Sequence, residues 1–295
     1  IFIYGPLATA GYLNDVQGGD VTGYAVRTTD ESTIVHLTNF SWDLSAVSSG
    51  FLGATGVSTL SRWLIEHLHV ESLQTSGNIF SWGAGAGANI NMRDISLVNS
   101  SATPSTDAMI VFEALEAVSI DGLYVLRPNA STGHIIDAYD AQNVSIKNVY
   151  DATATNNHVF FSYVGATGPK NVTLENIYRI TSTTGVTNSI RNTTYRITNS
   201  NMNWAAGAAA SEIIFENITG NIDTANMTDI KLTHCTGTIT DAGNFAGTLS
   251  GWRTAAPAAA TSNGRKGQYA FSATSSMLYV CTATDTWKRV IINTW

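Results

Sequence analysis

The 295 residues are enough for one long domain and a small second one. Only 13% are charged and the net charge is −7, which argues against a nucleic-acid backbone as partner. No apolar run approaches the length of a membrane span, so membrane insertion is not expected. Ser, Thr, Asn, Ala and Gly take the place of the missing charges. They predict a neutral, hydrogen-bonding surface that suits sugars.

Residues 1–33 are rich in Gly and Thr and read as an entry and capping segment. The chain starts at Ile1 with no Met and no charged leader. It reads as processed or partial, with an upstream segment missing.

From residue 34 a short pattern recurs. Asn143-Val-Ser-Ile-Lys-Asn-Val-Tyr150 returns as Asn171-Val-Thr-Leu-Glu-Asn-Ile-Tyr178. Weaker copies begin at Val35, Leu68, Ile90 and Val118, and again at Tyr195, Ile213 and Ile230. The steps are 33, 22, 28, 26, 28, 23, 18 and 17 residues, and the loop Ser48–Thr59 accounts for the first. A self-similar period of about 24 residues means a solenoid. Each copy alternates apolar and polar residues, so each is a strand with one buried face. A leucine-rich frame and a helical period are both absent. Residues 34–240 are therefore expected to form a parallel β-helix of about nine coils.

The Asn that ends each copy sits where the chain must leave a strand. Such a corner favours a residue that tolerates the left-handed conformation. Stacked turns put Asn39, Asp94, Asn148, Asn176, Asn199 and Asn217 in one column, where their amides bond one another. This asparagine ladder resembles that of the pectate-lyase-like superfamily of right-handed parallel β-helices. That superfamily includes polysaccharide lyases, polygalacturonases and bacteriophage tailspikes. The resemblance covers residues 34–240 and speaks to fold more than to chemistry.

A second strand precedes several main ones: residues 79–83, 109–113, 135–140 and 159–164. In the preferred register Phe80, Ile110, Ile136 and Phe160 point inward, with Trp82 and Phe112. Glu113, Asp137, Tyr139, Phe161 and Tyr163 then point outward, since the opposite register buries unpaired carboxylates. His134 and His158 share a column just before these strands.

Residues 241–262 read as a linker or last irregular coil. Residues 263–295 hold three short aromatic-rich strands, too few to bury a core alone. The segments Gly264-Arg-Lys-Gly-Gln-Tyr-Ala-Phe271, Leu278-Tyr-Val-Cys281 and Thr286-Trp-Lys-Arg-Val290 resemble a C-terminal module of bacteriophage tail fibres and tailspikes. The resemblance implies a β trimerisation module, with Trp287, Trp295 and Tyr279 as oligomerisation residues and a homotrimer as the assembly.

Glu113, Asp137 and Asp140 are the candidate catalytic carboxylates, because glycoside hydrolysis needs two at about 5–9.5 Å. The plainer reading makes them solvated surface charges. Tyr139, Tyr163, Phe161, His134 and His158 are the candidate sugar-binding residues. Tyr124, Tyr150 and Tyr178 form another column, read more as coil-stabilising stacking than as a sugar platform. No metal site or cofactor is expected: His67 with His69, and His134 with His158, are pairs only, where a metal needs three or four ligands. Cys235 and Cys281 read as lone buried hydrophobes. Basic residues are sparse in the central coils, which weakens a lyase reading. The sequons at Asn143, Asn171 and Asn217 are products of the repeat.

Together these features predict an all-β phage tailspike or tail fibre subunit, located in the virion tail, that binds host surface polysaccharide. It would join other phage tail proteins through the missing upstream segment. A polysaccharide depolymerase on the same fold is the second reading, and a purely structural virion protein the third.

Overall fold

In the computed structural model every regular element among the described residues is a β-strand. The structure describes residues 9–19, 22–29, 33–46, 48–55, 61–83, 89–101, 107–127, 133–153, 160–164, 171–180, 187–190, 194–206, 213–224, 227, 230–240, 251–253, 257, 259–262, 268–272, 277–283 and 285–291.

Two ten-stranded parallel sheets run side by side along the solenoid, and successive coils contribute one strand to each. The first sheet begins with Thr9–Gly19 and Thr33–Leu44 and ends with Ile230–Thr233. The second begins with Tyr24–Thr29 and Gly50–Thr55 and ends with Ile239–Thr240. Thr9–Gly19 and Tyr24–Thr29 thus form a complete rung inside the segment expected only to cap the solenoid. The nine-copy count misses it because this rung has Gly11 and Gly18 where the next has the apolar Val35 and Trp42.

The parallel register corrects one step of the repeat. Val35 lies beside Trp63, and Trp63 beside Ile90. Leu68 instead pairs with Phe40. The corner of this rung is therefore His67, and the apparent 33-residue step disappears.

Each first-sheet strand bends at one residue with positive φ. The residues are Asp15, Asn39, His67, Asp94, Gly122, Asn148, Asn176, Asn199 and Asn217, with His234 just past the last strand. Left-handed backbone costs an ordinary L-residue roughly 1–2 kcal/mol, and Asn and Asp offset it with local hydrogen bonds. The amides also bond up the stack. Asn217 Nδ2 donates to Asn199 Oδ1 at 2.9 Å, Asn199 to Asn176 at 2.9 Å, and Asn176 to Asn148 at 2.8 Å. Asn148 reaches Asp121 Oδ1 at 2.7 Å, because Gly122 offers no side chain. Most of these bonds are exposed, so the ladder lines an outer edge of the coil. Asn176→Ala removes one bond on each side and leaves a Cβ residue at positive φ. It is expected to cost about 2 kcal/mol in urea unfolding, and Asn176→Gly distinctly less.

The interior is apolar and aromatic. Trp82 stacks between Phe80 and Phe112, with ring centroids 5.5 and 5.2 Å away, and meets Trp63 edge-on at 6.0 Å. At the start of the second-sheet strands two consecutive apolar residues are both buried: Ile79 with Phe80, Met109 with Ile110, Ile135 with Ile136, Phe160 with Phe161. The chain turns there, so both side chains of each pair face inward. A polar girdle caps the far ends of the first-sheet strands. Ser72, Asn99, Asp151 and Ser200 each accept from the backbone N–H two residues on, and all four are buried.

The terminal sheet has four strands where three were expected. Gly251–Arg253 pairs parallel with Gln268–Ser272, which continues antiparallel into Met277–Ala283 and Thr286–Ile291. Its buried cluster is small: Ala270, Cys281 and Trp287, with Tyr279 packed against it. Cys235 and Cys281 are both buried and are not joined in a disulfide.

Candidate functional site

The outer face of the second sheet gathers the predicted acids. Ile110–Glu113 and Ile136–Tyr139 pair so that Glu113 lies beside Tyr139 and Val111 beside Asp137. One position on, Ala114 and Asp140 both have positive φ, and the Ala114 N–H donates to the Tyr139 carbonyl at 2.7 Å. This paired corner turns Glu113 and Asp140 toward one recess of about 330 Å³, which Ala114 and Tyr139 complete. From the strand geometry the Cα atoms of Glu113 and Asp140 are about 6 Å apart, and those of Glu113 and Asp137 about 8 Å.

Asp137 is engaged differently. One carboxylate oxygen bonds His134 Nδ1, and the other accepts from the Tyr139 hydroxyl at 3.5 Å. Its side chain is only 13% exposed. Tyr139 is 40% exposed and holds its ring at the mouth of the recess. Burial raises the Tyr139 phenol above its ordinary value, with Asp137 and then Glu113 adding to the effect. The hydroxyl therefore stays protonated at neutral pH and remains a donor.

Beneath this cluster lies Arg127, which in the sequence stands out only as a scarce base. Its guanidinium is buried and donates to the carbonyls of Gly133 at 2.7 Å, His134 at 2.9 Å and Asp107 at 2.9 Å. Burial pulls its pKa down to about 10, against the opposing pull of Asp151 and Asp107. Arg127 thus fixes the turn that carries His134. A cationic residue amid apolar coils was the available signal.

The other predicted binding residues divide. Phe161 is a correction: it is fully buried and pairs with Ile136, in the inward column. Tyr163 consequently lies beside Ala138, and Val164 takes the place beside Tyr139, so Tyr139 and Tyr163 form no column. The cause is that Phe160 is the first of an inward pair, as Ile79, Met109 and Ile135 are on the other rungs, so alternation along the strand begins at Phe161. His158 lies outside the described residues, as does Trp295. Trp287, expected between subunits, is buried within its own chain, where Nε1 donates to the Ser262 carbonyl at 2.9 Å. Tyr279 packs against the same small core. Among the described residues of this sheet, Tyr269, Val290 and Ile291 are the large apolar ones left exposed.

The three tyrosines read as internal stacking are on the surface. Tyr124, Tyr150 and Tyr178 are adjacent in register and 37%, 45% and 45% exposed. A longer recess of about 550 Å³ runs across the first sheet. It has Asn91, Ser119, Ser145 and Thr173 on its floor and Asn89, Asn143 and Asn171 along one side. Among the described residues no group of three His, Cys, Asp or Glu side chains comes together as a metal site.

No protein-family model matches the chain, and no solved structure matches it. A 49-residue stretch, 17% of the chain, is 49% identical to a protein of Klebsiella phage K64-1 described as a depolymerase specific for capsule K30/K69. The match spans 6% of that relative's length. A short match to a phage capsule depolymerase, in a chain that folds as a β-solenoid, fits a phage tailspike or tail fibre protein built on a β-helix.

Proposed function

We propose that this chain is the glycan-handling part of a phage tailspike, which binds a bacterial surface polysaccharide along the solenoid and cleaves it. The observation that carries the reading is the recess shared by Glu113 and Asp140, with Tyr139 at its mouth. Two carboxylates on one recess whose Cα atoms are about 6 Å apart have side chains long enough to reach the carboxyl separations of about 5–9.5 Å that glycoside hydrolysis uses. One protonates the leaving glycosidic oxygen while the other deprotonates the attacking water, or attacks the sugar carbon itself. The Tyr139 ring offers a platform for the apolar face of a sugar. Asp137, held by His134, orients the Tyr139 hydroxyl. The short match to a capsule depolymerase supports the same class of substrate.

The test is affinity electrophoresis in gels cast with purified capsular polysaccharides, the K30 and K69 types included. Retardation by one polysaccharide and not by the others supports the reading. Equal mobility in every gel, with a panel spanning the capsule types of susceptible hosts, overturns it. A second reading, an adhesin that holds the polysaccharide without cutting it, is favoured by the exposed tyrosines, which lie apart from the acids. It predicts retardation with no shortening.

The assembly belongs to the same proposal. A terminal sheet whose core is three residues gains burial by packing Tyr269, Val290 and Ile291 against other copies, and a homotrimer in the virion tail multiplies weak sugar contacts. Val290→Asp with Ile291→Asp is expected to convert trimer to monomer in light-scattering measurements. An unchanged mass removes this face as the contact.

A further inference from the structure

The first sheet carries a second aromatic surface that the acidic recess does not use. Tyr124 and Tyr150 stack with ring centroids 6.1 Å apart and planes 20° from parallel, and Tyr178 follows on the next rung. His69 and Ser96 continue the same outward column, bonded to each other at 3.1 Å. Beside the two stacked rings the corner ladder is interrupted at Gly122. The missing side chain leaves a recess of about 300 Å³ between Asp94 and Asn148, with Tyr124 and Tyr150 along it. A Cβ at Gly122 would meet Asp94 Oδ1 at 2.8 Å.

We infer that this column is a second saccharide-binding site, a non-catalytic track that holds an extended polysaccharide parallel to the solenoid axis. The inference rests on the reading of the protein as a polysaccharide-binding tailspike. Its chemistry is what a glycan requires. The Tyr124 and Tyr150 rings, 6.1 Å apart on successive rungs, present apolar faces at an interval comparable to one sugar residue. The Asp94 carboxylate and Asn148 amide border the recess, where hydroxyl groups would reach them. The adjoining column alternates in sign, with Glu66 paired to Arg93 at 3.4 Å, Lys147 to Glu175 at 3.2 Å and Asp121 between the two cations, so no strong positive field selects an anionic partner. The occupant is not another copy of the chain. Three phenol rings flanked by amides and hydroxyls make a strip far smaller than the roughly 1,000 Å² that a stable protein interface needs.

The test uses the full chain and whichever capsular polysaccharide retards it. Tyr124→Ala with Tyr150→Ala is expected to weaken retardation about tenfold. Cleavage of short oligosaccharides from the same polymer should be unchanged. Gly122→Asn keeps the left-handed corner, fills the recess and should weaken retardation in the same direction. Nitration by tetranitromethane, read by mass spectrometry, should be suppressed by the polysaccharide at Tyr124, Tyr150 and Tyr178, but not at Tyr12, which is 70% exposed on another rung. Undiminished retardation of both variants, or nitration unprotected at the three tyrosines, overturns the inference and leaves the tailspike reading intact. A change of oligomeric mass in the tyrosine variant assigns the column to a subunit contact and also overturns it. If wild-type protein is retarded by no polysaccharide, the tailspike reading itself fails and the inference with it.

Discussion

Replacing Glu113 by Gln, or Asp140 by Asn, is expected to lower polysaccharide cleavage about 10²–10⁴-fold while leaving polysaccharide retention intact. Both substitutions keep side-chain volume and hydrogen-bonding capacity, so the recess keeps its shape and loses only its proton-transfer groups. Asp137→Asn should behave differently. That carboxylate is bonded to His134 and the Tyr139 hydroxyl, so its loss frees Tyr139 and weakens binding as well as turnover. A retained cut rate in both Glu113→Gln and Asp140→Asn would move the chemistry elsewhere, and the outer face of the second sheet would then serve binding alone. The measurement is the initial rate of reducing-end release, set beside retardation in polysaccharide gels.

Asp151→Ala should be among the most damaging single changes in the solenoid. Asp151 and Arg179 face each other on successive rungs, with Nε to Oδ2 at 2.8 Å and side chains 0% and 4% exposed. Asp151 also accepts from the Thr153 N–H at 3.1 Å. The pair is costly to bury, and its net worth relative to apolar residues is small. Breaking it is another matter, because the Arg179 guanidinium then stays buried without its counter-ion. The expected loss is about 3–5 kcal/mol. The double change Asp151→Leu with Arg179→Met should recover part of it, since the buried Thr153 N–H still loses its acceptor. Neighbouring rungs share interfaces, so the loss should appear first as faster hydrogen exchange near residues 151–180. Uniform exchange in the single variant would contradict the assignment.

The corner ladder was legible because one physical need, a left-handed turn in every rung, selects Asn or Asp at a fixed place in an alternating pattern. It was less legible where another residue met the same need. His67 and Gly122 are also at positive φ, and Asp15 lies in a rung whose alternation is weak. The register of the second sheet was readable where alternation is counted from the second residue of the inward pair, as at Phe80, Ile110 and Ile136. It failed at Phe160-Phe161, because alternation assigns one face to each residue while a turn lets both point inward. Phe161 and Tyr163 were misplaced for that reason. Glu113 lies beside Tyr139 and Asp137 beside Val111 on neighbouring rungs, a placement that register alone sets. The burial of Trp287 in its own sheet depends on contacts with residues 260 and 262, which no local pattern encodes.

The central claim is that a bacterial polysaccharide is cut on the solenoid surface. Its most direct test is size-exclusion chromatography of the panel polysaccharides after incubation with the purified chain, with reducing ends counted in parallel. The account predicts that one polysaccharide, the one that retards the protein, shifts to short oligosaccharides as reducing ends rise. A retained polysaccharide that elutes at its original size, with no new reducing ends, would contradict cleavage and leave the surface as an adhesive one.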